Sequence, residues 1–175
     1  PLVMGIVNVT PDSFSDGGKY YSSGENFSGV LAHCEQLISE GADLLDIGGE
    51  STRPGASPVP LEQELARVLP VVRHAIKLGV PVSVDTYKPE VMRAVLDLGA
   101  DIINDIWALR QSGAMQVVAE HPSCGVCLMH MHREPQTMQT VPMQGDVVPQ
   151  IVHFLEYAAQ RLQTSGVDKA RIVLD

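Results

Sequence analysis

Basic residues, aromatic residues and cysteines are all scarce in this 175-residue sequence. Lysine and arginine number 12 against 21 aspartates and glutamates, and aromatic residues make up 5%. The resulting net charge of −9 argues against a protein that binds nucleic acid through a general positive field. The apolar runs are far shorter than the roughly 20 residues that cross a bilayer, and no basic and apolar leader opens the sequence. We therefore expect a cytoplasmic protein.

The three cysteines, Cys34, Cys124 and Cys127, do not have the number or spacing of a disulfide framework. Cys124 and Cys127 form a C-x-x-C pattern with two histidines close behind, so a zinc or redox site has to be weighed. The run 126–131 reads as a strand, however, and residues three apart in a strand point to opposite faces. We therefore expect ordinary buried or half-buried thiols at these positions.

Several sequence motifs of common enzymes are missing as well. No Walker sequence and no G-x-G-x-x-G fingerprint occurs, so nucleotide binding by either device has no support. Ser51 and Ser83 do not stand in nucleophile-elbow contexts, which argues against serine hydrolysis. What remains is a composition of 45% apolar and 19% charged residues, which is typical of a globular domain.

Short apolar runs alternate along the sequence with stretches that carry the helical period. The runs predicted as strands are 3–9, 44–47, 82–85, 102–106, 126–131 and 172–175. They are continuous, as expected for parallel strands buried on both faces. Glycines are predicted to end four helices just before a strand, at Gly41, Gly79, Gly99 and Gly166. This order of elements predicts an α/β fold with a parallel sheet.

Two architectures fit this pattern, an open doubly wound sheet and a (β/α)8 TIM barrel. Length favours the open sheet, because barrels run to about 250 residues. The strand ends favour the barrel, because polar groups recur at the carboxyl end of strand after strand. These groups are Asn8, Asp46, Asp85, Asn104, His130 and Asp175. We predict one domain over residues 1–175, an incomplete TIM barrel with six of eight strands, truncated on its C-terminal side.

Three connections between a strand and the following helix are longer than linkage alone demands, at 10–23, 48–60 and 132–146. The first two combine glycines with hydroxyl groups, carboxylates and one arginine, a composition that suits lids over an anion. The third is rich in glutamine, methionine and proline, and a solvated surface loop explains it equally well.

Two long signatures lie in this part of the chain, MGIVNVTPDSFSDGG at 4–18 and DIGGESTRPG at 46–55. They closely resemble the dihydropteroate synthase family. The likeness continues through SVDTYKPEV at 83–91, IINDI at 102–106, VCLMHM at 126–131 and the last strand, so it covers essentially the whole chain. The resemblance implies a pterin-binding TIM barrel of folate biosynthesis. Such an enzyme joins p-aminobenzoate to 6-hydroxymethyl-7,8-dihydropterin pyrophosphate and gives 7,8-dihydropteroate and pyrophosphate.

For the pterin, the resemblance implies a pocket at the carboxyl-terminal mouth of the barrel. Asp85, Asn104 and Asp175 would hold the hydrogen-bonding edge of the ring, and Ile106 and Met129 would pack nearby. This agrees with the chemistry, because a carboxylate can accept two parallel N–H donors in fork geometry. The three polar residues are also expected to be catalytic, since nearby carboxylates would stabilise the cationic methylene left when pyrophosphate departs.

For the second substrate and the metal, the resemblance implies the two long loops. Asn8 and Asp16 would lie by the pyrophosphate and its Mg²⁺, and Phe14 would lie against p-aminobenzoate. The second loop contributes Thr52, Arg53 and Pro54. Arg53, on the pyrophosphate side, is the fourth predicted catalytic residue. Sulfonamides would bind as mimics of p-aminobenzoate in the region that Pro54 and Phe14 border.

Two rival readings stay open. A methyltetrahydrofolate-dependent methyltransferase would share the pterin-holding strand ends but not the long first loop. The second alternative is a pterin-binding module without turnover. It stays open because the family's remaining anion-site residues lie in the last strands of the barrel, which this chain does not contain. We expect the full-length protein to be active and the isolated chain to be inactive. A homodimer is expected from the resemblance, with no nucleic-acid or membrane partner, and Asp46 is interpreted as structural.

Overall fold

The computed structural model describes residues 1–10, 27–51, 57–133 and 142–175. Strands and helices alternate through these residues. The strands are β1 (Met4–Asn8), β2 (Leu44–Gly48), β3 (Val82–Asp85), β4 (Ile102–Asp105), β5 (Gly125–Leu128) and β6 (Ile172–Leu174). The helices are α1 (Ser28–Ser39), α2 (Leu61–Ala75), α3 (Pro89–Leu98), α4 (Ala114–Glu120) and α5 (Val148–Thr164). None of the helices in these ranges combines the length and the apolar character needed to cross a bilayer.

All six strands belong to one parallel sheet, in the order β1-β2-β3-β4-β5-β6. A doubly wound sheet reverses its strand order at a switch point, whereas the strands of a barrel follow one another in chain order. The sequential order therefore decides between the two architectures. The fold is part of a (β/α)8 barrel, which confirms the prediction made from the strand ends.

Helix α3 ends at a glycine cap just before strand β4. Gly99 adopts the left-handed conformation, with φ of 108°, which a residue without a Cβ reaches at no steric cost. Its N–H bonds to the carbonyl of Leu96, and the N–H of Ala100 bonds to the carbonyl of Val95. The same sign of φ occurs at Gly41, Gly79 and Gly166. A glycine end is thus confirmed for α1, α3 and α5, whereas α2 ends at Ala75 and Gly79 lies in the loop that follows it.

The two faces of the sheet differ in what they contact. The face towards the helices is buried and mainly apolar, with Val7, Val84 and Ile103 among its residues. The opposite face points into the barrel, where Ile6 is 50% exposed and Val173 is 60% exposed. Burial along the whole strand, which the sequence predicted for every strand, is found in β2 and not in β1, β4 or β5. In β1, β4 and β5 buried residues alternate with more exposed ones, because the outer face of these strands packs against helices and their inner face is less covered.

Candidate active site

The strand register brings polar residues of several strands to one level of the barrel. Asn8 is level with Gly48, Gly48 with Asp85, Asp85 with Asn104, and Asn104 with Cys127. Registered neighbours in a sheet point to the same face, and the residues before this row are buried against the helices. The row therefore faces the interior of the barrel near the carboxyl ends of the strands. It holds two of the predicted pterin residues side by side.

One layer below this row, Asp46 holds the side chain of Asn104. Oδ2 of Asp46 accepts a hydrogen bond from Nδ2 of Asn104 over 3.1 Å, and its Oδ1 accepts one from the Ser83 hydroxyl over 2.6 Å. Burial raises the pKa of Asp46, while the two hydrogen bonds oppose the rise. Since the amide nitrogen of Asn104 is engaged, its Oδ1 is the group that can accept from a ligand. The interpretation of Asp46 as structural agrees with these contacts.

The carboxyl group of Asp85 lies in a strongly acidic environment. Burial raises its pKa to about 8, and the carboxylates of Asp46, Asp105, Glu64 and Glu50 add to the rise. Within the described ranges we find no hydrogen bond to this group. With such a pKa the group is largely protonated at neutral pH, and N–H donors of a ligand would favour its ionised form. The environment of Asp85 therefore suits a ligand rich in hydrogen-bond donors.

Asp175 lies beside the end of β5, where its carbonyl accepts a hydrogen bond from the N–H of His130 over 2.8 Å. Its side chain is exposed. Burial raises the pKa of the Cys127 thiol to about 11, and Asp175 and Asp85 are among the carboxylates that raise it further. The half-buried Cys127 thiol is therefore in the electrostatic field of two predicted pterin residues.

The predicted apolar contacts, Ile106 and Met129, follow the ends of adjacent strands. Ile106 is buried, whereas Met129 is half-buried and donates its N–H to the carbonyl of Asp105 over 3.3 Å. The side chain of Asp105 accepts from the backbone N–H groups of Trp107 and Leu109, each over 2.8 Å. Asp105 therefore does not join the polar row, and instead fixes the turn that carries Ile106.

Part of the predicted site lies outside the described residues, namely Phe14, Asp16, Thr52, Arg53 and Pro54. Their roles stay predictions. No group of three or more His, Cys, Asp or Glu side chains that could hold a metal is found in the described ranges. Asn8 is described, and its side chain is exposed at the end of β1. It offers an amide oxygen, one of the hard ligands that Mg²⁺ accepts.

Sequence reasoning missed two features of this region. The expectation of a half-buried thiol at Cys127 is confirmed, but the sequence did not place that thiol in the row of Asp85 and Asn104. Its neighbours Val126 and Leu128 are buried, and only the strand register shows that Cys127 lies on the inner face. The second feature is an ion cluster in which Lys88 contacts Glu50 and Glu64. Its members are distant in sequence, so no local pattern indicates it.

Comparisons with known proteins find relatives that match over the whole chain. The family model described as "Pterin binding enzyme" matches residues 4–175. The dihydropteroate synthase of Neisseria meningitidis serogroup B is 49% identical over 176 residues, which cover 100% of this chain and 61% of that protein. The Burkholderia cenocepacia dihydropteroate synthase complexed with 7,8-dihydropteroate superposes with a TM-score of 0.85 at 53% identity, covering 100% of this chain and 57% of that one. A Xanthomonas albilineans dihydropteroate synthase with 4-aminobenzoic acid gives a TM-score of 0.87 at 50% identity, covering 100% and 60%.

The likeness thus extends over the whole of this chain, in sequence and in structure, while the chain spans about three fifths of each relative. The match of the family model covers every strand of the sheet and the polar row at the strand ends. The chain belongs to the pterin-binding enzyme family.

Proposed function

We propose that this protein acts as a dihydropteroate synthase. The reaction joins p-aminobenzoate to 6-hydroxymethyl-7,8-dihydropterin pyrophosphate and releases pyrophosphate. The observation that carries the proposal is the row in which Asp85 and Asn104 lie level on the inner face of the barrel, with Asp46 holding the Asn104 amide. The names of the relatives support it. Since the chain spans 61% of the Neisseria meningitidis relative, the proposal concerns the activity of the whole protein.

Pterin recognition follows from the hydrogen-bonding capacity of the row. A pterin offers an amino group and ring N–H groups as donors, and the carboxylate of Asp85 can accept from them. Asn104, with its amide nitrogen engaged, presents Oδ1 as a further acceptor. Asp175 is proposed to accept from the remaining donors. Ile106 and Met129 are proposed to pack against the ring.

The chemistry requires the C–O bond to pyrophosphate to break, with its electrons leaving on the phosphate oxygen. Positive charge then develops on the pterin methylene carbon, and Asp85 is proposed to stabilise it together with Asp175. The amine of p-aminobenzoate attacks that carbon and afterwards loses a proton. No nucleophile of the protein is needed. Arg53 is proposed to neutralise the leaving pyrophosphate.

Mg²⁺ is the proposed cofactor. This ion prefers oxygen ligands and keeps several waters or substrate phosphates, so few protein ligands suffice. The exposed amide oxygen of Asn8 at the end of β1 fits such a site, and Asp16 is the second proposed ligand. The bound ion would supply positive charge to the departing pyrophosphate.

The test compares two proteins. One is the 175-residue chain, and the other, the extended protein, is this chain followed by the residues of the Neisseria meningitidis relative beyond the aligned segment. Incubation with the pterin pyrophosphate, p-aminobenzoate and Mg²⁺ should yield dihydropteroate with the extended protein, measured by liquid chromatography. The chain alone should give none, and pterin binding by it would indicate a binding module.

Two variants of the extended protein separate the proposed roles. Asp85→Ala should weaken pterin binding, because it removes an acceptor at the ring. Arg53→Ala should spare pterin binding and slow turnover. A folded extended protein without product, or an Asp85→Ala variant with unchanged pterin affinity, contradicts the proposal.

Three further properties are proposed on the family resemblance. The whole protein is a homodimer in the cytoplasm, and sulfonamides inhibit it by competing with p-aminobenzoate. Light scattering, cell fractionation and competition kinetics test these properties in turn. A monomer, a membrane-bound pool or inhibition that excess p-aminobenzoate does not relieve would each contradict one of them.

A further inference from the structure

Lys88 lies between two carboxylates that come from different parts of the chain. Its ammonium group donates to Oε2 of Glu50 and to Oε2 of Glu64. The side chain of Lys88 is 15% exposed, that of Glu50 is 11% exposed and that of Glu64 is 1% exposed. Charges this far from water interact more strongly than the ion pairs of a protein surface. The cluster is therefore not a solvated surface pair.

The cluster joins three separate segments around the strand ends. Glu50 lies just after β2, Glu64 lies in the first turn of α2, and Lys88 lies between Asp85 and the start of α3. Thr86 adds to the connection, since its hydroxyl donates to Oε1 of Glu64 over 2.7 Å. The segment that continues from Asp85 is therefore attached directly to the helix that follows β2.

The exit of β2 is itself packed closely on α2. The buried Arg67 donates from Nη1 to the carbonyl of Gly49 over 2.9 Å. A Cβ at Gly49 would lie 2.6 Å from Cγ2 of Val68, so a larger residue has no room there. The hydroxyl group of Tyr87 donates to Oε1 of Glu50 over 2.8 Å. Glu50 is thus held through its side chain and through its neighbour's backbone.

The charge of Lys88 is matched to its surroundings. The groups that contact its ammonium are Glu50, Glu64 and the ring of Tyr87, whose centroid is 4.6 Å away. Burial opposes the charge, but the two carboxylates outweigh burial and raise the pKa of Lys88. Both carboxylates also raise the pKa of Asp85. Without the ammonium group, Glu50 and Glu64 would lose their shared cation beside the segment that carries Asp85.

We propose that Lys88 is a positioning residue of the pterin site. By joining Glu50 and Glu64 it fixes segments 48–51 and 85–88, and thereby sets the place and the electrostatic surroundings of Asp85. The role requires no contact between Lys88 and a substrate. The expected effect of Lys88 on pterin binding rests on the proposed function. The attachment of segments 48–51 and 85–88 to each other does not.

The experiment uses Lys88→Met, which keeps an unbranched side chain and removes the charge. In the 175-residue chain, hydrogen–deuterium exchange should become about tenfold faster in segments 48–51 and 85–88 and stay unchanged elsewhere. In the extended protein, the Kd for 6-hydroxymethylpterin should rise about tenfold. Lys88→Arg keeps the charge and should stay within about threefold of the wild type in both measurements. Lys77→Met, at an exposed position after α2, is the matched control and should change neither.

The outcomes separate positioning from general stabilisation. Faster exchange over the whole chain, or an unchanged pterin Kd in a folded Lys88→Met protein, overturns the proposal. If the wild-type extended protein binds no pterin, the proposed function fails, and the exchange pattern alone decides on positioning. If Lys88→Met does not fold, Glu50→Gln decides, because it leaves the contact between Lys88 and Glu64. That variant should speed exchange at 48–51 and raise the Kd, and unchanged values overturn the proposal.

Discussion

The side-chain amide of Asn104 donates a hydrogen bond to Oδ2 of Asp46 over 3.1 Å, across 58 positions of the sequence. Asp46 is buried, and its other carboxylate oxygen accepts from Ser83. Because both oxygens of the carboxylate accept hydrogen bonds, its orientation is fixed, and so is the direction of the hydrogen bond to the Asn104 amide above it. The orientation of Asn104, and with it the acceptor that faces the barrel interior, is thus set by a residue one layer below the row.

Asp46→Asn in the extended protein is expected to weaken pterin binding about tenfold, or about 1.4 kcal/mol. An asparagine cannot accept with both side-chain atoms, so it loses one of the hydrogen bonds from Ser83 and Asn104. Calorimetric titration with 6-hydroxymethylpterin measures the change. Ser83→Ala is the control, since it leaves the acceptor of Asn104 in place and should change the Kd by about twofold or less. A Kd for Asp46→Asn within about twofold of the wild type would show that pterin binding does not depend on this contact.

Asp85→Asn should make the chain more stable, by an amount that grows with pH. The pKa of Asp85 is about 8 in the folded chain and near 3.8 without its surroundings, so the folded state binds more protons between these values. Stability is therefore lost as pH rises from about 4 to about 8. Asparagine does not titrate, so the variant avoids this loss. The difference in the free energy of unfolding between the variant and the wild type should grow by up to about 1.4 kcal/mol for each pH unit. Urea unfolding at pH 5, 6, 7 and 8 measures it, and a difference independent of pH would contradict the shift.

Cys127 is expected to be alkylated slowly in the native chain and to be protected by a bound pterin. Its half-buried thiol lies in the row of Asp85, and its raised pKa of about 11 keeps the thiolate scarce. Labelling with iodoacetamide should quicken from pH 7 to pH 9 and slow when 6-hydroxymethylpterin is added to the extended protein. Mass spectrometry reads the site. The fully buried Cys124 is the internal control, and labelling of Cys127 unaffected by pterin would place the ligand elsewhere.

Asp105→Ala should destabilise the chain by about 3 kcal/mol, because it leaves the N–H groups of Trp107 and Leu109 without their acceptor. The loss is large since Asp105 is fully buried and Leu109 has a φ of 57°, a conformation that needs support. Urea unfolding measures it. Asp168→Ala removes a similar bond to a backbone N–H in an exposed turn and should cost about 1 kcal/mol or less. Equal costs would mean that burial adds nothing to the Asp105 contacts.

The strand positions and the glycine ends of α1, α3 and α5 could be predicted because both depend on nearby residues. The helix α4 could not, because its seven residues make about two turns and show too little of the helical period. The predicted strand 126–131 also runs too far, since the structure ends β5 at Leu128. Apolar residues continue to Met131, and composition alone does not show where the ladder stops.

The candidate site divides in the same way. Asp85 and Asn104 could be proposed from their places at strand ends and from the family resemblance. The contact between Lys88 and Glu50 spans 38 positions, and that between Lys88 and Glu64 spans 24. No pattern within one strand or helix indicates such contacts. They form because neighbouring strands bring the segments that follow them to the same edge of the barrel.

By itself the sequence determined the α/β class, the parallel strands, the helix ends and the family, because these follow from local periodicity and from long signatures. Only the tertiary structure decided that Cys127 shares a row with Asp85, that Asp46 holds Asn104, and that Lys88 compensates two buried carboxylates. The physical reason is register. A slip of one residue turns every side chain of a strand to the other face, so the composition of the inner face is settled only when the strands align.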